Sequence, residues 1–128
     1  MIGNKLLLDT NIVIELFRGN QVIIAMLDKQ ENIYLSTAAL GELYLGAYRS
    51  KNVSKKLQEI KSFLESCNVL YTDAITSDKY AVIKTALLNR GKPIPENDIW
   101  IAATALQYKI PLYTFDRHFK EVEGITLA

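Results

Sequence analysis

The chain has 128 residues, 49% of them hydrophobic and 23% charged, with six glycines and three prolines. That composition excludes a disordered or fibrous chain, and the length suits one hydrophobic core, so a single domain over residues 1–128 is expected. Fifteen Lys+Arg against fourteen Asp+Glu leave a net charge of +1, which excludes an overall basic excess for nucleic acid and confines any electrostatic site to a local cluster.

Lys5 to Leu8 is a short apolar run and is predicted as a buried strand. After Asp9-Thr10-Asn11, the stretches Ile12 to Phe17 and Val22 to Lys29 carry apolar residues three and four apart and read as helices. Asn32 to Ser36 is a second strand and Ala38 to Tyr48 a third helix. In Ser54 to Ser66 the stripe Leu57, Ile60, Leu64 leaves Lys55, Lys56, Glu59 and Lys61 outside, which predicts a surface helix. Asn68 to Thr72 is a weaker strand, and Ser77 to Asn89 a helix. Arg90-Gly91-Lys92-Pro93-Ile94-Pro95 is a loop, because proline disfavours helix in itself and in the residue before it. Asp98 to Tyr108 has almost no polar face and reads as a central helix; Ile110 to Phe115 closes the series as a strand. Alternation of this kind predicts an α/β fold with a mainly parallel sheet covered on both faces.

The longest apolar run, Val22 to Leu27, is far shorter than the roughly 18–20 residues of a membrane span. Leu6-Leu7-Leu8 meets Asp9 too soon for a signal-peptide core, and a lone Cys67 excludes an internal disulfide. A soluble cytoplasmic protein with no membrane partner is expected. The single His118 leaves two-imidazole schemes or a Ser-His-Asp triad almost nothing to draw on. Chemistry must rest on carboxylates, metals or lysines.

Ligands of open parallel sheets bind beyond the carboxyl ends of the strands. Asp9 and Asp116 lie at two such ends, Glu42 follows the second strand by about one helical turn, and Asp98 opens the last helix. Structural roles are open to three of them: Asp9 as a helix cap, Asp98 in a first turn where the dipole favours an anion, Asp116 as a turn residue. Glu42, set among apolar neighbours, would be costly as an unpaired buried carboxylate. If all four converge, each pair of charges at about 6 Å repels by roughly 3 kcal/mol at an effective dielectric of about 20. A cation must offset that, and hard oxygen donors select Mg²⁺ or Mn²⁺, the equipment of phosphodiester chemistry.

Leu8-Asp9-Thr10-Asn11-Ile12, Gly41-Glu42-Leu43 with Gly46-Ala47, Asn97-Asp98-Ile99-Trp100-Ile101-Ala102-Ala103 and Tyr113-Thr114-Phe115-Asp116-Arg117-His118-Phe119 together resemble the ordered motifs of the PIN-domain ribonucleases, above all the VapC-type toxins of toxin–antitoxin pairs. The resemblance implies a three-layer α/β/α sandwich, a Mg²⁺- or Mn²⁺-dependent endoribonuclease, a homodimer and a cognate antitoxin that inserts near the active site. Asp9, Glu42, Asp98 and Asp116 match the family's acidic quartet, catalytic and metal-holding. Thr114 matches its hydroxyl residue near the metal, and Asn11 a polar residue that steadies Asp9.

Lys and Arg position nucleic acid through its phosphates. Arg90, Lys92 and Arg117 flank the acidic motifs and are the candidate RNA contacts, whereas Lys55 and Lys56 suit a solvated helix face. Tyr44 and Tyr48, one turn apart, suit a dimer or antitoxin groove. Two rivals remain: a catalytically inactive PIN-like module that binds RNA or protein, and a HAD-like phosphatase. The phosphatase pattern wants a second Asp where this chain has Asn11, and a receiver domain wants an acidic pair beside the first strand and a lysine ending the last, where this chain has Leu8-Asp9 and Phe115-Asp116.

Overall fold

Four parallel strands form the sheet of a computed structural model that describes residues 5–128: β1 (Lys5–Leu8), β2 (Asn32–Ser36), β3 (Asn68–Leu70) and β4 (Leu112–Tyr113). Their spatial order is β3-β2-β1-β4. Between β1 and β2 lie α1 (Thr10–Phe17) and α2 (Gln21–Asp28), and between β2 and β3 lie α3 (Thr37–Tyr48) and α4 (Val53–Leu64). The return from β3 to β4 carries α5 (Ala74–Asn89) and α6 (Glu96–Tyr108), and a 3₁₀ turn, Arg117–Glu121, follows β4.

The chain first steps outward from β1 through β2 to β3, then crosses back to the far side of β1. Because parallel crossovers are right-handed, this reversal places α1–α4 on one face and α5–α6 on the other. The three-layer expectation therefore holds. Leu6, Leu7 and Leu8 of β1 are all but inaccessible, as the middle strand of a doubly covered sheet requires. Residues Ile99, Ile101, Ala102, Ala103 and Ala105 are buried along α6, which accounts for the missing polar face of that helix. Among the described residues no helix is long and apolar enough to cross a membrane.

Several helices begin earlier than periodicity indicates, because their first turns are fixed by polar caps. Asp9 caps α1, Ser36 Oγ accepts from the Ala39 backbone N–H at 3.1 Å, and Asp73 with Thr76 forms a capping box that starts α5 at Ala74 instead of Ser77. The last strand is shorter than Ile110 to Phe115. Pro111 has no N–H to give, and beyond Tyr113 the backbone leaves the ladder to build the site. Leu112 also pairs outward with the C-terminal segment: its N–H donates to Thr126 O and its carbonyl accepts from Ala128 N, both at 2.8 Å. The 91–95 segment is a loop as expected, entered through Gly91 at φ +66, a conformation that suits glycine.

Candidate active site

The point where strand order reverses lies between β1 and β4, and a crevice outside the carboxyl ends of those two strands is where open α/β sheets bind ligands. The Asp9 N–H donates to Tyr113 O at 3.0 Å, so the two strands end in register and deliver Asp9 and Thr114 side by side. Thr114 Oγ1 donates to Asp9 Oδ2 at 2.6 Å and accepts from the Asp116 backbone N–H at 2.9 Å. One hydroxyl thus ties the acid after β1 to the turn carrying the acid after β4. The other oxygen of Asp9 accepts from Thr10 N at 2.8 Å, so the residue serves as the α1 cap as well as a site acid.

Glu42 comes from the second turn of α3 and is held by Thr10, whose hydroxyl donates to Oε1 at 2.7 Å. It is half-buried, not enclosed as its apolar neighbours imply: Tyr44, Leu45 and Tyr48 lie exposed on the outer side of the same helix. Asp98, buried in the first turn of α6, is set by the start of that helix, which Asn97 ties to α3 by donating Nδ2–H to Ala38 O at 3.1 Å. Asp116 caps the 3₁₀ turn, with Oδ1 accepting from His118 N at 2.9 Å. That turn also brings the His118 ring back over the site, Nδ1 lying 3.0 Å from Asp116 Oδ1 and 3.5 Å from Asp98 Oδ2.

The electrostatics show the crowding directly. Burial is the main reason the Asp98 carboxyl is pushed up to about 6; the charges of Asp9, Asp116 and Glu42 add to it, and a hydrogen bond from His118 opposes it. Asp9 is also raised, first by burial, with Glu42 and Asp116 contributing and the bonds from Thr114 and Thr10 acting the other way. Each acid of the quartet therefore acts on the buried pair, and the fold brings together all four that the sequence nominates. An oxygen-rich set of carboxylates, two of them buried and close enough to oppose one another's charge, is the chemistry a hard divalent cation fits.

Asn11 Oδ1 accepts from Phe115 N at 3.5 Å, on the turn whose Thr114 hydroxyl bonds Asp9. Of the cationic candidates, Arg90 is turned onto Glu121, bonding the carbonyl and lying 4.0 Å from the carboxylate. Lys92 and Arg117 are exposed, the latter directly after Asp116. Three residues were missed by sequence reasoning: Thr10 and Asn97, whose signal is adjacency to an acid of the site, and His118, whose signal is its position two residues after Asp116 in a turn.

Beside Glu42 lies a groove of about 210 Å³ between α1, α3 and α4, floored by Phe17, Leu43, Ala47 and Ile60 and rimmed by Arg18 and Lys56. It opens on the Leu43 and Ala47 side of α3, not on the Tyr44 and Tyr48 side.

A sequence model of the PIN domain matches residues 6–125. The chain belongs to the PIN-domain family. A relative, "Ribonuclease VapC1" of Haemophilus influenzae (strain R2866), is 34% identical over 124 residues, 94% of this chain and 91% of its own length. "Toxin FitB" of Neisseria gonorrhoeae is 34% identical over 121 residues, covering 87% of each protein. In three dimensions this PIN domain is similar to the structure of VapBC-1 from nontypeable Haemophilus influenzae, with a TM-score of 0.88, 29% identity, and 97% and 96% of the two chains covered.

Proposed function

We propose that this PIN domain, acting as a single nuclease domain, is a Mg²⁺- or Mn²⁺-dependent endoribonuclease and the toxin of a toxin–antitoxin pair. The observation that carries the reading is the convergence of Asp9, Glu42, Asp98 and Asp116 at the β1/β4 crevice, with Asp98 pushed up to about 6 by burial and by its three neighbours. The relatives named as a ribonuclease and as a toxin, and the VapBC likeness, support the biological half.

Asp9 and Asp98 would hold the cation, with Glu42 and Asp116 close enough to act directly or through water. When bound, a Mg²⁺ or Mn²⁺ ion supplies an activated water and charge stabilisation at the scissile phosphate. The chain's own residues do the rest. Thr114 and Thr10 fix the Asp9 and Glu42 carboxylates by short hydroxyl bonds, so little reorganisation is left for the reaction. Lys92, exposed in the loop that leads into α6, and Arg117, exposed directly after Asp116, would attract phosphates of the substrate without reading bases. Arg90 is the weaker candidate because Glu121 already engages it. Since water is the nucleophile, the 2′-hydroxyl takes no part, and the products carry 5′-phosphate and 3′-hydroxyl ends. Preference for RNA then comes from the shape of the bound strand.

The antitoxin would lay an apolar segment in the groove floored by Phe17, Leu43, Ala47 and Ile60, and offer an Arg or Lys to the carboxylates, where a guanidinium makes bidentate bonds. A homodimer is proposed alongside it, exposed Ile75 and Val82 of α5 being among the residues such an interface would cover. Expression tests the whole reading. Wild-type chain produced alone in a bacterium arrests growth, the Asp98→Asn variant does not, and co-expression of the neighbouring open reading frame restores growth. Harmless accumulation of an active, metal-dependent nuclease without any partner would remove the toxin assignment and leave the nuclease assignment intact.

A further inference from the structure

One oxygen each from Asp98 and Asp116 and one imidazole nitrogen of His118 all lie within 4.8 Å of one another. Neither Asp9 nor Glu42 belongs to this tightest group; Thr10 and Thr114 orient both Asp9 oxygens and one Glu42 oxygen. We infer that His118 is an inner-sphere ligand of the divalent cation, adding an imidazole nitrogen on the Asp98 and Asp116 side of the carboxylate site and so favouring Mn²⁺ over Mg²⁺. The inference rests on the cation site proposed above.

Geometry and donor chemistry support it. Bonds of about 2.1 Å to an octahedral cation separate neighbouring ligand atoms by about 3.0 Å. His118 Nδ1 stands 3.0 Å from the nearest Asp116 oxygen and 3.5 Å from the nearest Asp98 oxygen, so an ion seated against all three requires only small side-chain adjustments. The backbone prepares the ring: the 3₁₀ turn capped by Asp116 fixes His118 two residues on, and buried Phe119 anchors the turn to the core. Half of the imidazole remains accessible, which leaves it free to rotate a nitrogen onto an ion. Carboxylate oxygens serve Mg²⁺ and Mn²⁺ alike, whereas Mg²⁺ keeps water and oxygen ligands in preference to imidazole and Mn²⁺ lies further along the series that binds nitrogen well. A ring that simply rests as a polar neighbour between the Asp98 and Asp116 carboxylates is the competing account of its position.

The chain has one histidine, so a spectroscopic imidazole signal reports this residue alone. Mn²⁺ is added to purified full-length protein and examined by pulsed electron paramagnetic resonance, with natural-abundance and with [¹⁵N]histidine-labelled protein, beside His118→Gln and Asp98→Asn. The expected result is a ¹⁴N coupling of imidazole type that changes to ¹⁵N on labelling and disappears in His118→Gln. The same variant weakens Mn²⁺ binding by at least about tenfold and Mg²⁺ binding by less, while its thermal melt in EDTA stays close to wild type. Should His118→Gln fold poorly, the isotope exchange in wild-type protein decides the matter without it. Mn²⁺ that binds, is lost in Asp98→Asn, yet shows no histidine coupling would overturn the His118 assignment and keep the acidic site. Failure of the wild type to bind Mn²⁺ at all would overturn both.

Discussion

Replacing Asp98 with Asn is expected to stabilise the cation-free protein. Burial, with the charges of Asp9, Asp116 and Glu42, pushes the Asp98 carboxyl up to about 6 from an ordinary value of 3.8. A separation of that size corresponds to roughly 3 kcal/mol of lost stability once the group is ionised in both states. Because the folded value is the raised one, the penalty is absent below about pH 4 and complete above about pH 7. Asn keeps the shape and removes the charge. The value of about 6 already includes the opposing contact to His118, so only the negative charge in the first turn of α6, contributing about 0.5–1 kcal/mol, remains to be subtracted. The net gain at pH 8 is therefore about 2–2.5 kcal/mol, or a rise of several degrees in Tm for a domain of this size. Thermal melts of wild type and Asp98→Asn in EDTA at pH 4, 5, 6 and 8 measure it, the advantage of Asn growing through pH 4–6. Saturating Mn²⁺ reverses the order, since it binds and stabilises only the protein that retains the ligand. An Asn variant less stable than wild type at pH 8 in EDTA, or a difference that does not change with pH, would refute the reasoning and favour a purely structural Asp98.

Two other outcomes follow from the same geometry. Thr114→Val removes the hydroxyl that bridges Asp9 Oδ2 and Asp116 N; it is expected to cost about 1–3 kcal/mol in urea unfolding and to weaken Mn²⁺ binding by about 10–100-fold by titration calorimetry. Protons and the cation compete for Asp98, so Mn²⁺ affinity should level off above about pH 7 and fall as pH drops below 6, with up to about tenfold per unit contributed by this group, measured by titration calorimetry across pH 5–8.

The strands β1 and β2 were legible to the residue, because an apolar run bounded by Lys5 and Asp9, or by Asn32 and Ser36, has few other readings. Helix starts were less so. Periodicity registers the first buried side chain, whereas Asp9, Ser36 and Asp73 start their helices through backbone hydrogen bonds. Apolar composition also misled for the last strand and for Glu42. Ile110 and Phe115 look like strand residues, but Pro111 and the turn at Thr114 leave only Leu112–Tyr113 on the ladder. Glu42 sits among apolar residues that a helix distributes around its circumference, so half of its neighbours face outward. The four acids were readable because each occupies a strand end or an early helix turn on one edge of the sheet. His118 was not, since a five-residue 3₁₀ turn has no periodic signature and its folding back over Asp98 is a tertiary event.

The central claim, that four converging carboxylates hold a cation which cuts RNA, is tested most directly by the ends of the cleavage products. Purified wild-type protein is incubated with total RNA and Mn²⁺ or Mg²⁺, with and without EDTA, beside Asp98→Asn. The account predicts fragments with 5′-phosphate and 3′-hydroxyl ends, formed by wild type with the ion and absent with EDTA or with the variant. Cleavage that persists in EDTA, or fragments ending in 2′,3′-cyclic phosphate, would contradict it.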